Sequence, residues 1–135
     1  MNDSKLTPPT QPGQWTITQI EYALSRPLPK ELLSTRKQGN KEIIYIPWYE
    51  ANRILSKYAP GWHWSIDSIH STDSKLFLHG TLTIPTSEGI VARSATGTED
   101  LNCGSYGDPS SNAESMAFRR AAARFGLGSY LYDKD

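Results

Sequence analysis

The 135-residue chain is predicted to be an α+β domain with the element order α-β-α-β-β-β-α. Three observations predict it. Apolar residues recur at helical spacing near both ends and around residue 53; strict alternation runs through residues 76–84; and short polar turns separate three apolar runs, which implies an antiparallel meander. The length suits one domain with its own core, residues 15–135. Residues 1–14, with Pro8, Pro9 and Pro12 among polar neighbours, are expected to form a flexible arm.

From Trp15, the residues Ile17, Ile20 and Leu24 make a short amphipathic helix, with Thr18 and Glu21 as a capping box and Pro27 and Pro29 forbidding continuation. Residues 30–41 read as a polar, basic connector carrying Arg36, Lys37 and Lys41. The β-branched run Ile43-Ile44-Tyr45-Ile46 then reads as a buried strand. Pro47 opens a second helix over residues 48–58, in which Ala51, Ile54, Leu55 and Tyr58 form the apolar stripe and Arg53 and Lys57 share the other side. Strands are expected over residues 62–68, 76–85 and 90–98, with Leu76, Leu78, Gly80, Leu82 and Ile84 on the buried face of the second.

A polar loop over residues 99–110 leads to the last helix. Ser111 and Glu114 fit a capping box at its start, and Gly126 and Gly128 suit its stop. At about 100° per residue from Ala113, Phe118 and Phe125 fall near roughly 140° and 120°, whereas Arg119, Arg120 and Arg124 fall near roughly 240°, 340° and 20°. The phenylalanines are thus expected in the core, and the arginines form an outward cationic ridge. Ala121, Ala122 and Ala123 would let a polyanion approach the helix backbone closely.

Formal net charge is zero, which excludes indiscriminate nucleic-acid binding by a strongly basic surface. The charge is nevertheless segregated: +3 over residues 1–60, −5 over 61–118 and +2 over 119–135. With Cys103 alone, no intramolecular disulfide forms, and a reducing compartment is expected. His63, His70 and His79 match no metal-ligand spacing and read as structural or surface residues. No Gly-rich phosphate loop or Gly-x-Ser-x-Gly elbow is present, so no cofactor, metal or enzymatic activity is expected. Glu99 and Asp100, adjacent at a strand end, face opposite ways and make a poor acid/base pair. No segment has the apolar length of a membrane span and the N-terminus lacks signal-peptide character, so the expected location is cytoplasmic.

Four stretches, Leu28-Pro29-Lys30-Glu31-Leu32-Leu33-Ser34-Thr35-Arg36, Ile43-Ile44-Tyr45-Ile46, Gly61-Trp62-His63-Trp64-Ser65-Ile66 and the helix over residues 118–128, occur in an order and spacing that resemble the DNA-binding domain of the Rad52 family, across residues 16–132. The resemblance implies a curved antiparallel sheet packed on helices. It also implies single-stranded DNA binding and strand annealing in recombination and repair, assembly into a homo-oligomeric ring, and a recombinase or single-strand-binding protein as a further partner. A nucleoid-associated location, or a nuclear one in a eukaryote, follows from it.

By the same resemblance, Arg119 and Arg120 occupy the family's basic pair deep in the DNA groove, with Arg124 standing in for a third basic residue replaced by Ala123. An arginine of the family at the second helix falls on Glu50 here, with Arg53 its replacement and Lys57 and Tyr58 beyond. The family's outer DNA site uses lysines in a hairpin turn and in the loop before the last helix. Here the turn is Thr86-Ser87-Glu88-Gly89 and the loop over residues 99–110 has no basic residue, which puts that site in doubt. Arg36, Lys37 and Lys41 complete the candidate contacts, and Tyr58, Trp48 and Tyr49 are candidate stacking rings. The competing reading is an oligomeric protein-interaction module without annealing activity, built on exposed strand edges and on Tyr130, Leu131 and Tyr132.

Overall fold

The computed structural model describes residues 6–104 and 107–133. In chain order it runs α1 (Ile17–Leu24), β1 (Ser34–Gln38), β2 (Lys41–Tyr45), α2 (Trp48–Tyr58), β3 (His63–Ser71), β4 (Lys75–Thr86), β5 (Gly89–Asp100) and α3 (Pro109–Arg124), with 3-10 turns at Lys30–Leu32 and Ser129–Tyr132. The α+β class holds. Strands β3, β4 and β5 form the expected antiparallel meander, while β1 and β2, among the described residues, pair only with each other in a separate two-stranded sheet. The strand over residues 43–46 therefore does not extend the larger sheet. It is the second arm of a hairpin whose first arm, Ser-Thr-Arg-Lys-Gln, falls in the expected connector. Gly39 at φ 65° makes the two-residue turn, with Gln38 opposite Lys41. Nor is that strand buried: Ile44 is exposed, and Ile46, just past the strand end, is the residue that enters the core.

Along β4, Leu78, Gly80, Leu82 and Ile84 are buried on the helix side and alternate with half-exposed His79, Thr81 and Thr83. Their cross-strand partners Gly97, Ala95, Arg93 and Val91 share that face. The main core joins Leu82 and Ile84 to Ile20 and Leu24 of α1, Leu55 of α2, and Phe118 and Phe125 of or just beyond α3. The helix lies so close to the sheet that a Cβ on Gly97 would come within 1.9 Å of the Ala113 carbonyl oxygen. Ala113, Ala117, Ala121 and Ala122 are all buried. The small side chains thus bring α3 down onto the sheet, and Ala121 and Ala122 do not open the helix backbone to a polyanion as the sequence had suggested.

Both expected caps are displaced. Thr16 caps α1 with Gln19 as the reciprocal partner, in place of Thr18 and Glu21. Asp108 caps α3, accepting from the Ser110 amide at 3.0 Å, so the helix starts ahead of Ser111, and Pro109 occupies its first turn. Glu114 is thereby released from capping. The N-terminal segment also departs from expectation: Leu6 packs on the core, Pro9 is buried, and the Trp15 carbonyl accepts from Ser87 in the β4–β5 turn at 2.8 Å. Residues 6–14 are thus a strap across the end of the meander; residues 1–5 of the expected arm lie outside the described residues.

Candidate nucleic-acid interface

Helix α3 presents Met116, Arg119 and Arg120 along the flank facing the β1–β2 hairpin. Together with Arg36 of β1, Tyr45 of β2 and Tyr132 of the final turn they line a groove of about 260 Å³. Pairing of Arg36 with Ile43, and of Ser34 with Tyr45, puts Arg36 and Tyr45 on one face of the hairpin. Both guanidiniums then approach the Tyr45 ring, with Arg119 Cζ 5.2 Å and Arg36 Cζ 5.7 Å from its centroid. Arg120 donates from Nη1 to the Thr96 carbonyl at 3.1 Å, on the outer edge of β5, and this fixes the guanidinium at the groove wall.

Partial burial is the main cause that lowers the pKa of Arg119 from its ordinary value. The Arg36 charge lowers it further, while Tyr132 and Tyr45 act the other way, the Tyr132 hydroxyl through a hydrogen bond. An arginine stays protonated regardless. The shift reflects a cation drawn partly out of water beside a like charge. Among the described residues, Arg36, Arg119 and Arg120 form no ion pair with any carboxylate. Two planar forks at a tyrosine ring and a third at the groove wall suit phosphate oxygens of an extended strand.

The structure splits the expected ridge. Arg119 and Arg120 line the groove, whereas Arg124 lies outside it at the helix end, its carbonyl accepting from Arg93 Nη1 at 2.7 Å. Arg53 is paired with Glu50 at 3.4 Å on α2. Lys57 lies over the Tyr58 ring, and Tyr58 is buried, stacked on Trp15, with its hydroxyl accepting from Arg26 at 2.9 Å. Tyr58 is therefore a core ring unavailable for stacking. Trp48 and Tyr49 are exposed but do not line the groove. On the hairpin, Lys41 shares the face of Arg36, while Lys37, opposite Glu42, is on the other face.

Arg36 thus supplies the groove cation that the sequence sought in Arg53. Sequence reasoning passed over Tyr45 and Tyr132 as ring donors. The Gly39-Asn40 hairpin turn was the signal for Tyr45, because it sets Arg36 and Tyr45 in register. In the β4–β5 turn, where the resemblance leads one to expect a lysine, the Glu88 carboxylate accepts from the Ile17 amide at 3.1 Å and ties the turn to α1.

No protein-family model matches the chain. Two curated proteins of Arabidopsis thaliana are similar to it. DNA repair RAD52-like protein 1, mitochondrial, is 36% identical over 135 residues, covering 94% of this chain and 73% of the relative. DNA repair RAD52-like protein 2, chloroplastic, is 48% identical over 120 residues, covering 86% of this chain and 60% of the relative. With that identity and coverage, and with the resemblance noted from its motifs, the chain belongs to the Rad52 family.

Proposed function

We propose that this chain binds single-stranded DNA along the groove of Arg36, Arg119 and Arg120 and anneals complementary strands in DNA recombination and repair, as a homo-oligomeric ring. The observation that carries the reading is a groove that gathers three guanidiniums, Arg36 and Arg119 at the Tyr45 ring and Arg120 at the wall, with no carboxylate paired to them among the described residues. Arginine forks grip phosphates without reading sequence, which leaves Watson–Crick edges free for a second strand. A recombinase or single-strand-binding protein would supply or receive the bound strand. The mitochondrial and chloroplastic names of the relatives support an organellar nucleoid over free cytoplasm. Among the described residues no helix is long and apolar enough to cross a membrane.

The test is fluorescence anisotropy with a mixed-sequence oligonucleotide at fixed low salt, comparing the wild type with Arg119→Ala/Arg120→Ala. Each charge-assisted contact is worth about 1.5–3 kcal/mol, so the pair should weaken binding by more than about a hundredfold. Circular dichroism and size exclusion check folding and assembly. Wild-type affinity in a folded, assembled double variant would overturn the groove assignment. Assembly with no DNA binding by the wild type would favour the interaction-module reading.

A further inference from the structure

Helix α3 packs over β4 and β5 and meets β3 chiefly through Trp64, so the helix-side face of β3 is left open. The register puts Trp64, Ile66 and Ile69 on that face, opposite Leu82, Gly80 and Leu78, with an irregularity between residues 66 and 68. Ile66 and Ile69 are 43% and 54% exposed, although their β4 partners are buried. The open strip continues into a cavity of about 330 Å³ between α2 and α3, walled by Trp48, Trp62, Trp64 and Phe118 with Asn52 and Glu114 at its polar side. Among the described residues the one charged group there is Glu114, whose carboxylate accepts from the Trp64 indole N–H at 3.0 Å. Among the described residues no basic side chain lines the cavity, and it opens on the flank of α3 away from the arginine groove.

A phosphate-bearing ligand finds no counter-charge here. Ring faces with a fixed carboxylate, continued by an aliphatic strip, fit a cationic side chain attached to an apolar segment. The chain itself carries such a segment. Among the described residues the β1–β2 hairpin pairs with no other strand, and a two-stranded ribbon alone is marginal in water. On the face opposite Arg36 and Tyr45 it offers Lys37, with Glu42 across from it, and Ile44, which is 43% exposed at the rim of the arginine groove. The acidic surplus of residues 61–118 and the basic surplus of residues 1–60 complement one another between copies.

We propose that the open face of β3 and the Glu114 aromatic cavity are the seat for the hairpin of a second copy of this chain, with Lys37 entering the cavity and Ile44 covering Ile66 and Ile69. Two different surfaces meet, so the contact is heterologous and propagates into a ring or filament. It would also hold the hairpin, and with it Arg36 and Tyr45, in place against Arg119. The proposal rests on the oligomer proposed above and names the surfaces that build it.

The experiment is size exclusion with light scattering on the full chain at micromolar concentration, without DNA. Wild type should run as an oligomer, and Lys37→Glu and Glu114→Lys should each shift it toward the 15.1 kDa protomer. The combined Lys37→Glu/Glu114→Lys protein, with the charges exchanged, should reassemble. Ile69→Glu, at an exposed position, should also dissociate it; should Glu114→Lys fail to fold, Lys37→Glu and Ile69→Glu decide. Single variants that assemble like wild type would overturn the seat while leaving the annealing reading standing, as would a folded double variant that fails to reassemble. A monomeric wild type would overturn both the seat and the oligomer. An assembled wild type that ignores single-stranded DNA would sink the DNA reading alone.

Discussion

Tyr45 connects the two halves of the candidate DNA site, because its ring is the shared neighbour of Arg36 from the hairpin and Arg119 from α3. Tyr45→Ala removes that common face and any stacking of a base on it, which is worth about 1–3 kcal/mol per base. Tyr45→Phe keeps the ring. Anisotropy at one salt concentration should therefore show a loss of roughly tenfold or more for Tyr45→Ala and near wild-type affinity for Tyr45→Phe; equal loss in both would mean that the hydroxyl, not the ring, matters. Arg119→Lys should also fail to restore full affinity, since an ammonium lacks the planar fork. At this scale the sequence showed Arg119 and Arg120 clearly, because Phe118 and Phe125 set the helix register around them. It showed Arg36 only as one charge in a basic stretch. Its meaning depends on a cross-strand pairing that polar residues do not announce.

The meeting of α3 with the meander depends on Gly97. A side chain there would strike the Ala113 carbonyl, which belongs to helix backbone and cannot rotate away. Gly97→Ala should cost about 1–3 kcal/mol as the helix lifts from the sheet, read as a lowered midpoint in thermal or urea unfolding. An unchanged midpoint would mean that α3 sits higher than described.

The cap of the same helix carries a pH signature. Hydrogen bonds from the Ser110 hydroxyl and amide hold the Asp108 carboxyl below its ordinary value of 3.8. A carboxyl depressed in the folded state contributes stability that is present above the unfolded value, and this is lost as pH falls through the folded value. Asp108→Asn keeps a capping oxygen but does not titrate, so wild type should lose more midpoint temperature than the variant between about pH 5 and pH 2. Parallel acid limbs would contradict the cap.

Elements with strong periodicity were legible: α2 spans the expected residues 48–58, and the β4 alternation matches its burial. The polar β1 strand and the Asp108 cap were not, because a strand without apolar alternation and a proline two residues ahead of Ser111 compete with stronger neighbouring signals.

For the molecule as a whole, zero net charge and an isoelectric point near 6.8 mean that no overall field draws the protein to DNA. Attraction must come from the local cluster of Arg36, Arg119 and Arg120, which makes its salt dependence countable. Each phosphate contact on a single strand contributes a log–log slope of about −0.7, so one protomer's three arginines give about −2. If several protomers engage one oligonucleotide, the total slope multiplies, but the fraction carried by each arginine does not change. Arg119→Ala should therefore reduce the measured slope by about a third at any oligomer size, with an intact assembly by size exclusion as the condition. Arg124→Ala, outside the groove, should leave the slope at its wild-type value. The ratio of slopes, unlike the affinity itself, is insensitive to how many subunits bind. A slope unchanged by Arg119→Ala but reduced by Arg124→Ala would move the strand to the far end of α3.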